Sequence, residues 1–324
     1  MRAALLNPTG AIAWAAMAFA PLSVGCTGTV AGSPGGGAGT SADAESAVTQ
    51  ALVLVERTVA TEGTRAAASA RFARVTAGVT PAETLRALGA SLDLPSPGSC
   101  EGIRTAPEAP PASGATGTSG ATFVELLDMG RVSLETTGGT TSLVPRQLPY
   151  VTDVVTGTVY ARAVEAPALP AAAPYVIHVA GAGEVAGFDV VGLAPQDASD
   201  IAIAQETSPG EIAASGASVD FSWRVGQAGP SGTAAAGSDS DVLYVEVQPA
   251  GVRCTLGTAS VSGASAGYAS HASITTSLLD DAGSLVVHRV HAQPLDALPQ
   301  PGTRGVDGGE LRFDFARVVA YTRP

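Results

Sequence analysis

Short segments with strictly alternating apolar and polar residues constrain the fold more than any other feature of this sequence. In residues 219–225, valine, phenylalanine and tryptophan occupy the odd positions, and aspartate, serine and arginine the even ones. A period of two with one polar face is typical of a half-buried strand. The same alternation recurs in residues 243–247, 252–256 and 311–315. These segments predict a mainly β chain.

The turns between the predicted strands are rich in glycine, proline and serine. Residues 175–179 and 188–191 flank Gly181 and predict a hairpin. After Phe315 the apolar phase is expected to shift, which predicts a bulge near Ala316. Strands of this length separated by such turns favour β-sandwich architecture.

Two segments before residue 90 predict helices. Val48, Leu52, Val55 and Val59 fall at helical spacing, which predicts a helix over about 43–60. The residues Thr80-Pro81-Ala82-Glu83 form a capping box with proline at the first helical position. They predict a second short helix that ends near Gly89.

The fold class expected from these patterns is mainly β, with two β-sandwich-like modules preceded by a short helical segment and a flexible tether. The predicted organisation, in chain order, is a signal peptide (1–25), a tether (26–42), a short helix (43–62), a β-rich module (63–195) and an immunoglobulin-like sandwich (196–324).

The second module resembles immunoglobulin-like and fibronectin-like domains through Phe221-Ser222-Trp223 and the strand at 243–247. It departs from true immunoglobulin domains because Trp223 precedes a lone Cys254. The mature chain as a whole resembles exported bacterial lipoproteins. The stretches that carry this resemblance are 123–128, 252–254 and 309–315. The resemblance implies no activity and no catalytic residues.

The first 25 residues predict an export signal. One arginine precedes an apolar stretch, Ala11 to Ala20, which is shorter than a membrane span. The sequence Leu22-Ser23-Val24-Gly25-Cys26 resembles a lipobox and predicts lipidation of Cys26. Ser23-Val24-Gly25 also suits ordinary signal peptidase, so an unlipidated secreted form is the alternative. The glycine-rich residues after Cys26 predict a tether.

The charge balance excludes several chemistries. The chain has no lysine, which removes Walker A, Schiff-base and Ser-x-x-Lys mechanisms. Its net charge is −12, and charged residues make up 14% of the chain. Because phosphate contacts from Lys and Arg dominate nucleic-acid affinity, no nucleic-acid partner is expected.

Besides Cys26, the chain has two cysteines, Cys100 and Cys254. An even pair in an exported protein tends to oxidise. We therefore expect a disulfide, with two separate buried thiols as the alternative.

Residues 263–267 match the Gly-x-Ser-x-Gly elbow of hydrolases, with Ser265 as nucleophile. The expected partners would be Asp280 or Asp281, then His288 or His291. The surrounding Ser-, Ala- and Gly-rich run favours a loop over the strand and helix that such an elbow needs.

Three further patterns carry a weaker chemical signal. Gly181-x-Gly183 favours a hairpin turn over a dinucleotide site, because a strand follows it. His288 and His291 lie three apart on a predicted strand, so they should face opposite ways and share no metal. His178 is expected at the surface. Asp239 and Asp241 predict a solvated turn, with a calcium site as the alternative.

The leading hypothesis is a non-catalytic cell-envelope lipoprotein with a binding or structural role. Its body would be periplasmic or extracellular, anchored through lipid on Cys26, with the outer membrane as the expected membrane. An envelope protein or a glycan is the expected kind of partner, and no cofactor is expected. The alternatives are an exported serine hydrolase using Ser265 and a carbohydrate-binding module.

Overall fold

The computed structural model describes residues 47–75, 80–89, 91–103, 124–148, 155–183, 185–224, 240–260, 269–295 and 305–323. All of them belong to one compact unit, residues 44–324. The other unit, 1–43, lies outside the described residues, as do the predicted signal peptide and tether.

The described residues are mainly β, as the alternation predicts. The strands are, in chain order, β1 (Val48–Ala60), β2 (Gly63–Val75), β3 (Cys100–Gly102), β4 (Val124–Leu126), β5 (Val132–Thr136), β6 (Gly139–Ser142), β7 (Val144–Leu148), β8 (Val155–Glu165), β9 (Pro174–Ala182), β10 (Val185–Leu193), β11 (Ala202–Ile203), β12 (Glu206–Ser208), β13 (Glu211–Ala213), β14 (Ser218–Arg224), β15 (Ser240–Gln248), β16 (Val252–Ser260), β17 (Ala269–Thr275), β18 (Ala282–Pro294) and β19 (Gly308–Thr322).

The helical elements are few and short. They are α1 (Pro81–Ala87) and 3₁₀ turns at Ala166–Ala168, Ala198–Asp200 and Thr276–Leu278. No helix within the described ranges is long and apolar enough to cross a membrane.

The strands form three sheets. The large sheet has twelve strands, with the order β3-β16-β15-β18-β19-β1-β2-β4-β8-β7 and with β12 and β13 attached beside β19. A second sheet has the order β10-β9-β5-β6, and a third has the order β11-β14-β17. Both smaller sheets pack against one side of the large sheet, which we call its inner face.

Two hydrophobic cores lie on the inner face. The first joins the large sheet to the four-stranded sheet and includes Phe72, Tyr175 and Phe313. The second joins it to the three-stranded sheet and includes Phe221, Leu243 and Tyr321. The two sandwich-like modules of the predicted fold class are therefore present, and they share one continuous sheet.

The helix predicted over 43–62 is wrong: residues 48–60 form β1. This strand lies inside the large sheet, parallel to β19 and antiparallel to β2. Its apolar residues lie on both faces: Val53 and Val55 enter the first core, while Leu52 packs on the opposite side, where Glu56 is exposed. A strand covered on both faces loses its alternation, and its apolar residues can then fall at helical spacing.

The bulge predicted near Ala316 is also wrong. β19 pairs with β1 and β18 without a change of register through this region. Its odd positions stay on the inner face from Leu311 to Tyr321, and Arg317 occupies the one position where the apolar series is interrupted. A charged residue on an otherwise apolar face produces the same sequence signal as a shift of phase.

The short helix predicted after Thr80 is confirmed. Thr80 and Glu83 form the reciprocal capping box, and Pro81 begins α1. Leu85 and Leu88 pack with Leu52 and Val75 in a small cluster on the outer face of the large sheet, opposite the two cores. The helix therefore covers the side of β1 that the cores leave open.

The hairpin and the most regular strand are confirmed as well. β9 and β10 pair antiparallel with Ala182 opposite Val185; Gly183, which has a positive φ of 60°, lies in the turn, and Gly181 lies within β9 opposite Ala186. On β14, Val219, Phe221 and Trp223 are buried in the second core, as the alternation predicts.

Candidate functional site

The predicted disulfide is present. Cys100 on β3 and Cys254 on β16 are direct register partners, and their sulfur atoms are 2.09 Å apart. Backbone hydrogen bonds extend this attachment on both sides of the bridge: Gly98 donates to the Thr255 carbonyl and Ile103 to that of Gly251. The bridge therefore fastens the segment that follows α1 to the edge of the large sheet.

Three side chains form a stack on the outer face. The imidazole of His288 lies parallel to the ring of Tyr244, with centroids 4.3 Å apart and an interplanar angle of 7°. The guanidinium of Arg253 lies over the same tyrosine ring, 5.3 Å from its centroid. Arg253 also donates two hydrogen bonds to Glu246 and one to the Asp93 carbonyl. Tyr244 is thus buried, although it belongs to neither hydrophobic core.

Asp314 organises the far end of this stack. Its carboxylate lies 2.8 Å from His288 Nδ1 and 3.5 Å from the Tyr244 hydroxyl. Burial, followed by the negative charge of Asp314, raises the pKa of Tyr244 well above its ordinary value. His288 Nε2 is buried and has no hydrogen-bond partner among the described residues. Asp314 therefore holds both rings of the stack in position.

Glu56 is the register neighbour of Asp314 on the adjacent parallel strand. Its pKa is raised, first by desolvation and then by the negative charge of Asp314, and Arg71 and His288 oppose this shift. Much of the side chain is nevertheless accessible to solvent. Solvent therefore weakens both the desolvation of Glu56 and its repulsion from Asp314.

A second polar cluster lies on the inner face. Asp241 is 2% exposed and accepts hydrogen bonds from Arg289 Nε and His291 Nδ1, the latter at 2.8 Å. The solvated turn predicted for Asp241 is therefore wrong. Its partners come from β18, about fifty residues further along the chain, and nothing near Asp241 in the sequence signals them.

Arg289 belongs to a larger arrangement around Phe315. Arg57 on β1 and Arg289 on β18 are both register partners of this fully buried ring. Arg317 lies two residues further along β19, on the same face. The three arginines lie at the boundary between the two cores, so a polar line interrupts the apolar inner face.

Each of these arginines has its own carboxylate, and we call the three pairs the junction ion pairs. They are Arg57–Asp197, Arg289–Asp241 and Arg317–Glu206. Arg57 also donates to the carbonyls of Ala166 and Leu169, and Arg317 to that of Ile201. Arg57, through Asp197, and Arg317, through the Ile201 carbonyl, thus attach the connection between the smaller sheets to the large sheet.

His178 lies at the surface, as predicted, on the outward side of β9. Its Nδ1 is 2.8 Å from Asp189 on β10, and its Nε2 is 3.2 Å from Glu135 on β5. The hydrogen bond with Asp189, followed by that with Glu135, raises the pKa of His178. The side chain is 38% exposed, so solvent screens these interactions.

The remaining predicted residues divide into two groups. Cys26, Asp239 and Ser265 lie outside the described residues. His288 and His291 face opposite sides of β18, as their spacing predicts. Their carboxylate partners are Asp314 and Asp241, so the expected pairing with Asp280 or Asp281 in hydrolase order is wrong for these histidines.

Sequence reasoning missed the outer-face stack and the junction ion pairs. A usable signal was present on the inner face, where Arg289 and His291 occupy the same alternating positions as the apolar Leu285 and Val287. Polar residues in phase with a buried face require partners from other strands. Comparison of the chain with protein-family models and with curated proteins gives no match.

Proposed function

We propose that this protein is an exported, lipid-anchored component of the bacterial cell envelope with a non-catalytic structural or binding role. Lipid on Cys26 would hold it at the membrane, and the glycine-rich residues that follow would connect the anchor to the folded body. The body would lie on the periplasmic or extracellular side, with an envelope protein or a glycan as its partner.

The observation that carries this proposal is the disulfide between Cys100 and Cys254. Thiol-reducing systems keep such bonds rare in the cytosol, whereas exported proteins form and retain them. Cys254 is 1% exposed and belongs to the second core. A bridge in this position is typical of a structural disulfide formed during folding.

The polar groups support a structural or binding role over a catalytic one. Nδ1 of His178, His288 and His291 each lies 2.8 Å from a carboxylate on a neighbouring strand. The Arg57–Asp197 ion pair and the hydrogen bond from Arg317 to the Ile201 carbonyl hold the connection between the smaller sheets. These groups cross-link strands, as expected of a rigid body that presents surfaces to a partner.

Metabolic labelling with a fatty-acid analogue tests the anchor. We expect the unmodified chain to incorporate label and to fractionate with membranes. Cys26→Ala should lose both properties, and the double variant Cys100→Ser/Cys254→Ser should still be labelled. Equal labelling of Cys26→Ala would refute lipidation at this residue. Release of unlabelled, processed wild-type protein would support the secreted form instead.

A further inference from the structure

The edge of the three-stranded sheet differs from the other sheet edges in the described part of the chain. β17 pairs with β14 in unbroken register from Ala269 to Thr275. Within the described ranges it has no strand on its other side. Alternate N–H and C=O groups along an edge strand of this kind point outward and can accept another strand.

Other edge strands carry features that block pairing. β7 contains Pro145 and Arg146, and natural proteins use both residue types to protect edges. β3 has three residues and β11 has two. On β10, the Val191 carbonyl already accepts a hydrogen bond from Gln293. β6 has four residues, and the 3₁₀ turn at 166–168 lies against the turn that precedes it.

β17 has none of these features. Its seven residues, Ala-Ser-His-Ala-Ser-Ile-Thr, include no proline, aspartate, glutamate or arginine. Side chains at His271 and Ser273 are exposed, whereas Ile274 is buried in the second core. The strand is therefore long enough to pair and is free of charge along its length.

We propose that β17 pairs antiparallel with β17 of a second copy of this chain, across a two-fold axis. The two three-stranded sheets would then form one continuous sheet of six strands. Full overlap of the seven residues places the axis at Ala272. In this register His271 faces Ser273 of the second copy on the exposed side, and Ile274 faces Ser270 of the second copy on the side of the second core.

A second copy suits this edge better than an unrelated peptide. Peptides that add to a sheet edge gain specificity from pockets for alternate side chains. The residues of β17 are small, apart from His271 and Ile274, and offer no such pockets. Two identical strands are self-complementary when antiparallel. The absence of charge also matters, because two copies of a chain with a net charge of −12 meet most easily at a neutral strip.

Sedimentation velocity of the purified full chain tests the proposal. We expect the weight-average sedimentation coefficient to rise reversibly from that of a monomer to that of a dimer as the protein concentration increases roughly a hundredfold. Ser273→Lys places a cation on the exposed side of the contact and should weaken the dimer by at least about tenfold. Ser142→Lys is the matched control, since it introduces the same change at an exposed serine of β6, and it should sediment like the wild type.

A cysteine cross-link tests the register independently of stability. Ala272→Cys places two thiols opposite each other at the axis, so mild oxidation should give a covalent dimer. Ser142→Cys should give none under the same conditions. A monomer at every concentration would overturn the proposal. So would equal dimerisation of Ser273→Lys and Ser142→Lys, or the absence of a cross-link at Ala272→Cys.

Discussion

His288 stacks face to face on Tyr244, with ring centroids 4.3 Å apart, and the two residues are direct register partners on β18 and β15. Both reach the same carboxylate, Asp314, on a third strand. A ring stack and a shared anion therefore link β15, β18 and β19 on the outer face of the large sheet.

Removal of the ring from this stack should destabilise the fold more than removal of its hydroxyl. Tyr244→Leu loses the contacts with His288 and Arg253, and we expect the free energy of unfolding to fall by about 2 kcal/mol. Tyr244→Phe keeps the ring and loses only a long hydrogen bond to Asp314, so its loss should stay below about 1 kcal/mol. Urea unfolding measures both, and equal losses would contradict a stabilising role for the stack.

The buried carboxylate of the junction ion pairs should be sensitive to neutralisation. Asp241→Asn leaves Arg289 buried without its anion, which typically costs about 3–5 kcal/mol. Asp189→Asn provides a control, because the Asp189 side chain is 65% exposed and its loss should change stability by under about 1 kcal/mol. The comparison uses denaturant midpoints, and a small effect at Asp241 would contradict the burial described above.

Loss of the disulfide should weaken the whole unit. The bridge links residues 154 positions apart, and removal of a native disulfide typically costs about 2–5 kcal/mol. We expect Cys100→Ser/Cys254→Ser to unfold at a lower guanidinium concentration than the oxidised wild type. Intact mass after alkylation reports the bridge directly, and two free thiols in the native wild type would contradict it.

The ion pairs of His178 predict that its contribution to the free energy of unfolding falls as the pH rises. Because the folded-state pKa of His178 is raised, its contribution to stability is complete below the unfolded-state pKa, about 6.5. The contribution is lost as the pH rises through the higher folded-state pKa. Nuclear magnetic resonance titration should show the raised pKa, and Asp189→Asn should lower it more than Glu135→Gln. A pKa at or below the ordinary value would contradict the pairing.

Ionisation of Glu56 should destabilise the fold, whereas ionisation of a carboxylate paired with a cation stabilises it. Its raised pKa means that ionisation beside Asp314 destabilises the folded state, by an amount absent below about pH 4.5 and complete above the folded-state pKa. We therefore expect Glu56→Gln to raise the unfolding midpoint at neutral pH. Glu246→Gln, which removes the partner of Arg253, should lower it. A fall for Glu56→Gln would contradict the repulsion.

The predictable parts of this fold were those with local signals. The capping box at Thr80, the glycine turn at Gly183 and the alternation of Val219, Phe221 and Trp223 each specify a structure from neighbouring residues alone. β1 carries a misleading helical pattern because its apolar residues lie on both faces, where neighbours such as β19 come from distant parts of the chain.

The candidate site depended even more on distant partners. Asp241 meets Arg289 and His291 only after β15 pairs with β18, and Asp314 meets Tyr244 across an intervening strand. Composition made β2 difficult as well, since its inward positions at 66, 68 and 70 are alanines, which have low β-propensity. The alanines nevertheless form part of β2, because large rings such as Phe72 and Tyr160 fill the core around them.

The parallel pairing of β1 with β19 determines when this protein can complete its fold. The partners Gln50 and Gly308 are separated by most of the chain. One edge of β1 therefore has no paired strand until most of the chain has been synthesised. Contacts of such long range form slowly. The large sheet therefore cannot form completely during synthesis until β19 is available to pair with β1.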